Sequence, residues 1–472
     1  MTLRDSTRRA PWKRCSSQCR NSRGRTRRAT RWWSTAYGES RILGWSRMKV
    51  LFFTTAYEPQ MEVQVVHQEF LQRLRERGCE VSILTSLSGR TRAAGFVWEE
   101  AAGIPICRYP LRGRPLEEWL NFLSERLLHY DGFLTILRRY LAYFRRHPWP
   151  DLIHVESAYP LGAVAAIAQR AVPVPYVINV RGADLFNEPG ARFGYARYPV
   201  VRALLRRAFR FAAASRATTP QTEGIIRSYG APPERVRMIP RNIRDECFPE
   251  DPERLRAECR AEVVGAHNLP EGNRILIAAG RLLPVKGFDT LLQALAQVQQ
   301  HLPGWTLLLC GATRRDPAAG DYRTYLERLA GNLGLGSQVV FTGELPATRF
   351  TRYLAASDLV VVPSVREGSN KVLMEGAALG VPFVATSTTG AVDFFREPPG
   401  GLIVPPMDPA ALAEAILLLL KEDALRLRLG QEAARVAGRF RSAQVAEEML
   451  RLYHEVLGSH TGKRLLSGRA DR

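Results

Sequence analysis

Two tandem doubly wound α/β domains are the architecture this sequence predicts, on three observations. From Met48 onward, short β-branched runs alternate with amphipathic helical stretches. The alternation pauses between Pro240 and Gly272, where prolines, glycines and charges dilute the apolar period, and then restarts. At 472 residues the chain exceeds one ordinary core, since domains cluster near roughly 100–150 residues. Parallel strands need crossover connections, and the helices between successive strands supply them.

The first 47 residues stand apart. They hold 13 Lys+Arg against Asp5 and Glu39, a net +11 of the chain's +21, with no apolar signal core and no helical or strand period. Met48-Lys-Val-Leu-Phe-Phe53 then reads as a translation start running into a buried strand. Residues 1–47 are therefore expected to be a basic disordered leader from a misplaced start. A basic arm for nucleic acid or anionic lipid is the alternative.

In the first domain, 48–245, Val50–Thr54, Val81–Thr85, Leu152–Val155 and Tyr176–Val180 read as strands. Val65–Arg77 reads as a helix, with Val66, Phe70 and Leu74 at helical spacing and Gly78 as its stop. In the second domain, 246–440, the strands are Ile275–Ala279, Thr306–Cys310, Val339–Thr342, Leu359–Val362 and Pro382–Ala385. Long Ala/Leu/Arg-rich helices follow over Pro409–Leu420, Asp423–Gly438 and Ser442–Leu457, so residues 441–472 are a final helix and a frayed tail. Ligands of open α/β sheets bind at strand carboxyl ends, and two such sheets in tandem predict a cleft between them.

Composition narrows the class. A hydrophobic content of 46% with mixed charge excludes a disordered chain, and no run approaches the roughly 18 apolar residues of a membrane-spanning helix. The seven cysteines are scattered without metal-ligand or disulfide-framework spacing, which fits a reducing cytoplasm. No strand is followed by Gly-x-Gly-x-x-Gly, which disfavours a dinucleotide-dependent dehydrogenase.

Two stretches carry chemistry. In the first, a buried strand ends at Pro363, a polar loop carries Glu367, Gly368, Ser369, Asn370 and Lys371, and a helix capped by Ser369 or Asn370 runs to Leu379. The unbonded amides at that helix start form a phosphate site. Glu375, the one acid on an apolar helix, needs a partner, because burying it unpaired costs several kcal/mol. In the second stretch, Arg281 and Lys286 follow the first strand of the second domain, and two cations there suit a diphosphate.

These residues resemble the retaining glycosyltransferases of family 4, with their two Rossmann-like domains in the GT-B arrangement. The resemblance covers about Met48 to Leu457. It implies that Glu367 holds donor-sugar hydroxyls, Glu375 the ribose, and the Gly368–Lys371 backbone the sugar and phosphate, with Arg281 and Lys286 on the diphosphate. Val340-Phe341-Thr342-Gly343 is similar to the family's segment beside the nucleobase, so Gly343 joins the donor site, and Ser387-Thr388-Thr389-Gly390 occupies the place of a Gly-rich donor loop. On the acceptor side Val180-Arg181-Gly182-Ala183-Asp184 is similar to a His-Gly-x-Asp element. Arg181 stands there in place of histidine, so Arg181 and Asp184 are the acceptor-side candidates and no imidazole role carries over. The usual Gly-Gly turn falls near Met61-Glu62, where no glycine is present.

What the resemblance implies is transfer with retention from a UDP-, GDP- or ADP-sugar to a glycan, lipid-linked or small-molecule acceptor. No cofactor or metal is expected. Stretches mixing aromatics with arginine, Trp119–Trp149 and Arg202–Arg216, read either as core or as surfaces for an anionic bilayer. The expected location is cytoplasmic, with peripheral contact on the inner face of the membrane. The alternatives are an epimerase or phosphorylase on the same architecture, or a protein that binds the nucleotide sugar without transfer.

Overall fold

The computed structural model describes residues 48–58, 65–87, 95–112, 115–180, 182, 184–187, 194–313 and 321–467. The leader, Met61-Glu62 and Arg181 lie outside these residues, so the expectations that fall on them have no structural account.

The first half runs β1 (Lys49–Phe53), α1 (Val65–Glu76), β2 (Glu80–Ser86), β3 (Val97–Ala101), β4 (Ile104–Tyr109), α2 (Pro115–Leu128), α3 (Phe133–Phe144), β5 (Leu152–Val155), α4 (Ala163–Ala168), β6 (Tyr176–Asn179), α5 (Pro199–Phe211), β7 (Ala214–Ala217), α6 (Pro220–Ser228) and β8 (Val236–Met238). Its eight strands order as β3-β4-β2-β1-β5-β6-β7-β8, parallel except for β3, which pairs antiparallel with β4. Helices cover both faces, so the central strands read as continuous apolar runs.

The second half contains α7 (Pro252–His267), β9 (Arg274–Ala279), α8 (Phe288–His301), β10 (Trp305–Cys310), α9 (Tyr322–Asn332), β11 (Val339–Gly343), α10 (Ala347–Ala356), β12 (Leu359–Val362), α11 (Lys371–Ala378), β13 (Phe383–Thr386), β14 (Gly401–Val404), α12 (Pro409–Lys421), α13 (Asp423–Ala437) and α14 (Ser442–Ser467). Its parallel sheet orders as β11-β10-β9-β12-β13-β14. The order reverses between β9 and β12, the switch point at which such sheets bind ligands.

The structure departs from the sequence reading in three places. The segment read as a pause contains α7, a charged 16-residue helix whose buried residues are only Cys259 and Val263. It is fastened by charge instead, with Arg256 and Arg260 on Asp358 at 2.7 and 2.9 Å. Strands β3, β4, β7 and β8 extend the first sheet beyond the strands expected. Finally, α14 returns to the first half: Val445, Ala446, Met449 and Tyr453 pack with Val50, Phe52 and Leu74. The chain crosses between halves at residues 239–247 and again at 438–442. Asn242 Nδ2 joins the crossings by donating to Val66 O (2.9 Å) and Ser442 Oγ (3.1 Å), and Ile243 N donates to Phe440 O (3.1 Å).

Candidate active site

The second-half strand ends form the floor. Gly280, Gly311 and Gly343 follow or end β9, β10 and β11, and backbone bonds tie them edge to edge: Gly280 N donates to Cys310 O (2.9 Å) and Gly311 N to Gly343 O (2.8 Å). Arg281 follows Gly280, exposed and with no polar partner among the described residues. Lys286 folds back over the turn, and its ammonium pairs with the Glu367 carboxylate, both groups being about four-fifths buried. The two donor-side stretches, 81 residues apart in sequence, therefore meet through one ion pair.

The β12–α11 loop is held from both sides. Glu367 N donates to Thr388 O (3.3 Å) and Gly390 N returns to Glu367 O (3.1 Å), while Thr386 and Thr388 hydroxyls donate to Ser364 O at 2.6 and 3.1 Å. This close approach is why glycine stands at 390: a β-carbon there would lie 2.3 Å from Gly368 O. Asn370 caps α11, its Oδ1 accepting from Leu373 N at 2.8 Å. The amides of Lys371 and Val372 precede the first helical bond, from Met374 N to Asn370 O, as the first amides of a helix do. Ser369 turns its hydroxyl to Met374 Sδ at 3.5 Å.

Glu375 is among the buried residues of α11. It is 1% exposed, and its Oε1 lies 2.9 Å from Arg244 Nε and 3.2 Å from Lys371 Nζ. Arg244, itself buried, comes from the first crossing segment and also pairs with Glu246 at 2.9 Å. Burial opposes charge on Arg244, but the Glu375 carboxylate holds its pKa above the usual value. Burial lowers the pKa of Lys371, the charge of Glu375 offsetting part of that effect. Nothing local to Glu375 announces Arg244, which sequence reading missed.

The first half closes the floor. Gly182 lies against Gly368, and the Phe186 ring packs over both glycines while Arg366 stacks on its face at 5.5 Å. Thr219, which caps α6 through a capping box, and Gln221 sit beside Gly390. Gln221 Oε1 is buried with no hydrogen-bond partner among the described residues, a second group that sequence reading missed. Asp184 faces inward: Oδ2 accepts from Ala158 N (2.7 Å) and Oδ1 from Gly182 N (2.8 Å). It shapes the loop that carries Gly182, which makes it a positioning group. Among the described residues no three His, Cys, Asp or Glu side chains cluster as metal ligands.

The profile described as Glycosyl transferases group 1 matches residues 260–436, and that of the Glycosyl transferase 4-like domain matches residues 62–242. The chain belongs to the group 1 glycosyltransferases of family 4. Among its relatives, the D-inositol 3-phosphate glycosyltransferase of Acidothermus cellulolyticus is 29% identical over 398 residues, 82% of this chain and 84% of that one. That of Catenulispora acidiphila is 28% identical over 411 residues, covering 84% and 91%. Sucrose-phosphate synthase from Thermosynechococcus elongatus superposes with a TM-score of 0.71 at 22% identity, covering 88% of this chain and all of that one. Anabaena HepE in complex with UDP and glucose gives 0.63 at 20% identity, covering 86% and 99%. The fold of this glycosyltransferase is GT-B, and it is an enzyme of the nucleotide-sugar-dependent class.

Proposed function

We propose that this glycosyltransferase moves a hexosyl group from a UDP-, GDP- or ADP-sugar to a hydroxyl of a glycan, lipid-linked or small-molecule acceptor, with retention and without a metal. The observation that carries the reading is the Lys286–Glu367 pair, held at the strand ends beside the α11 amides and opposite Gly182. The ammonium and the amides face the diphosphate, and the Glu367 carboxylate accepts from sugar hydroxyls. Arg281, exposed at the same edge, supplies a second cation. Glu375 is the ribose-side acid, set in place by Arg244 and Lys371. Gly343 lies beside the base.

Transfer breaks the bond between the anomeric carbon and the phosphate oxygen and forms one from the acceptor oxygen on the same face. The acceptor's proton passes to the leaving phosphate oxygen, so no protein nucleophile is required. Negative charge grows on the diphosphate as the bond breaks, and fixed donors aimed at it bind the transition state more tightly than the ground state. The named relatives act on D-inositol 3-phosphate, which makes a polyol hydroxyl one acceptor class to test. Peripheral contact with an anionic membrane, from a cytoplasmic location, belongs to the same reading.

A thermal-shift panel of UDP-, GDP- and ADP-sugars identifies the donor, and proton NMR of the product reads its anomeric configuration. An inverted product sinks the retaining route. Complete loss of activity in EDTA, restored by a divalent ion, sinks metal independence.

A further inference from the structure

We propose that the outward face of α2 is a docking surface for an anionic lipid bilayer. The inference rests on the peripheral membrane contact proposed above and names the surface that makes it; adsorption is measured without donor or acceptor, so its failure leaves the transferase reading standing.

Helix α2 is built inside out. Its buried side carries Glu117, Asn121 and Ser124. Each is partnered from within: Glu117 Oε1 by Arg139, Asn121 by Leu111 O (2.8 Å) and the Thr135 hydroxyl (2.7 Å), Ser124 by Leu120 O (2.6 Å) and Leu134 N (3.0 Å). Its solvent side carries Leu116, Trp119, Phe122 and Leu127, between 49% and 61% exposed. At 100° per residue Trp119, Phe122 and Arg126 lie opposite the buried polar residues, and Leu116 and Leu127 extend the exposed face to one side. A helix in water does the reverse, and contiguous apolar patches on a solvated surface mark interaction sites.

Charge decides the occupant. Arg126 stacks on Phe122 at 5.3 Å, within the apolar arc. At the carboxyl end of α2 the His129 ring stacks on Tyr198 at 3.5 Å, which joins α2 to the start of α5. Helix α5 exposes Arg206, Arg207, Arg210 and Phe211, contains no acid, and places Arg207 over Phe211 at 5.1 Å. The exposed acids of α2, Glu118 and Glu125, lie on the flank of the apolar arc, and Glu118 is paired with Arg112 at 3.8 Å. Apolar and aromatic side chains with Arg126 among them and further exposed arginines on the adjoining helix suit acyl chains below and anionic headgroups around, with each near-surface cation adding attraction.

The test is flotation of the full chain with vesicles of phosphatidylcholine alone or with 30% phosphatidylglycerol. Adsorption is expected to be at least tenfold stronger on the anionic vesicles, to fall at least tenfold in Trp119→Ser/Phe122→Ser, and to fall with salt and in Arg206→Glu/Arg207→Glu/Arg210→Glu. The substituted side chains are exposed, so circular dichroism should report an intact fold. No adsorption to the anionic vesicles overturns the proposal. So does adsorption unchanged by Trp119→Ser/Phe122→Ser, which would place the contact elsewhere, in the basic leader for one. A dimer that the same double substitution converts to monomer without vesicles also overturns it, assigning the face to a second copy of the chain.

Discussion

Glu367 and Glu375 are separated by seven residues and each holds a lysine, yet they sit in opposite surroundings. Glu367 is on a loop at the cleft edge, partly open, and its partner Lys286 arrives from the turn after β9. Glu375 is on the inner face of α11, and its partner Arg244 is a buried guanidinium from the segment that crosses between halves. An ion pair that keeps an edge toward solvent can exchange its partner for a ligand, whose own charge and hydroxyls replace the lost contact. A buried pair cannot be broken from one side without stranding a charge. In the proposed reading the first pair serves the chemistry, while the second couples α11 to the crossing segment.

The sharpest way to break this contrast is to remove one acid at a time. Glu367→Ala and Lys286→Ala are each expected to lower turnover by roughly 100- to 1,000-fold, the scale of losing one preorganised charge-stabilising group. Each should lose less stability in urea unfolding than Glu375→Ala, because the partner left behind keeps a path to water. An active Lys286→Ala/Glu367→Ala enzyme would remove the pair from the site altogether. Glu375→Ala should behave differently, losing about 3 kcal/mol in urea unfolding as buried Arg244 keeps only Glu246 as its counter-charge. Equal stabilities for the Glu367→Ala and Glu375→Ala proteins would erase the distinction.

Lys371 sharpens the comparison through pH, since it pairs with Glu375 and stands at the first turn of α11, where the proposed reading puts the diphosphate. Burial lowers its pKa from the lysine value of 10.5. Between the lowered folded pKa and 10.5 the unfolded chain binds more protons, so stability from this group rises with pH across that window. Affinity for a nucleoside diphosphate should move oppositely, by about tenfold, as the ammonium discharges. Lys371→Arg keeps its charge and should flatten both trends in calorimetric titrations from pH 7 to 10.5. Parallel curves for the two proteins would show that Lys371 does not titrate there.

How legible this was in sequence depended on the range of the contacts. The β12–α11 stretch was readable because strand, loop, cap and helix lie within about twenty residues, and Asn370 caps as its side chain dictates. Arg244 was not, since its contact with Glu375 spans 131 residues and only the fold creates it. Strand β3, VWEEA, was missed because an edge strand exposes its acids and lacks an apolar run, and β7, ASRA, because it lacks branched residues. The aromatic stretch Trp119–Trp149 left core and surface open, and the structure divides it. Phe133, Tyr140, Tyr143 and Phe144 are core, while Trp119 and Phe122 face solvent. A helical period shows that a helix has two faces, and only the tertiary structure shows which is inside.

Gly343 gives the smallest expected effect and separates strain from contact. Its φ is +72°, a conformation that costs a residue with a β-carbon about 1 kcal/mol. A β-carbon built there meets nothing within 4 Å, so no clash adds to that strain. Gly343→Ala should therefore lose about 1 kcal/mol in urea unfolding and leave the backbone bond from Gly311 N to Gly343 O in place. If the nucleobase passes over this turn, the added methyl occupies its path, and donor affinity should fall severalfold beyond what the stability loss explains. Unchanged donor affinity at the expected stability loss would take Gly343 out of the donor site and leave it as a turn residue ending β11.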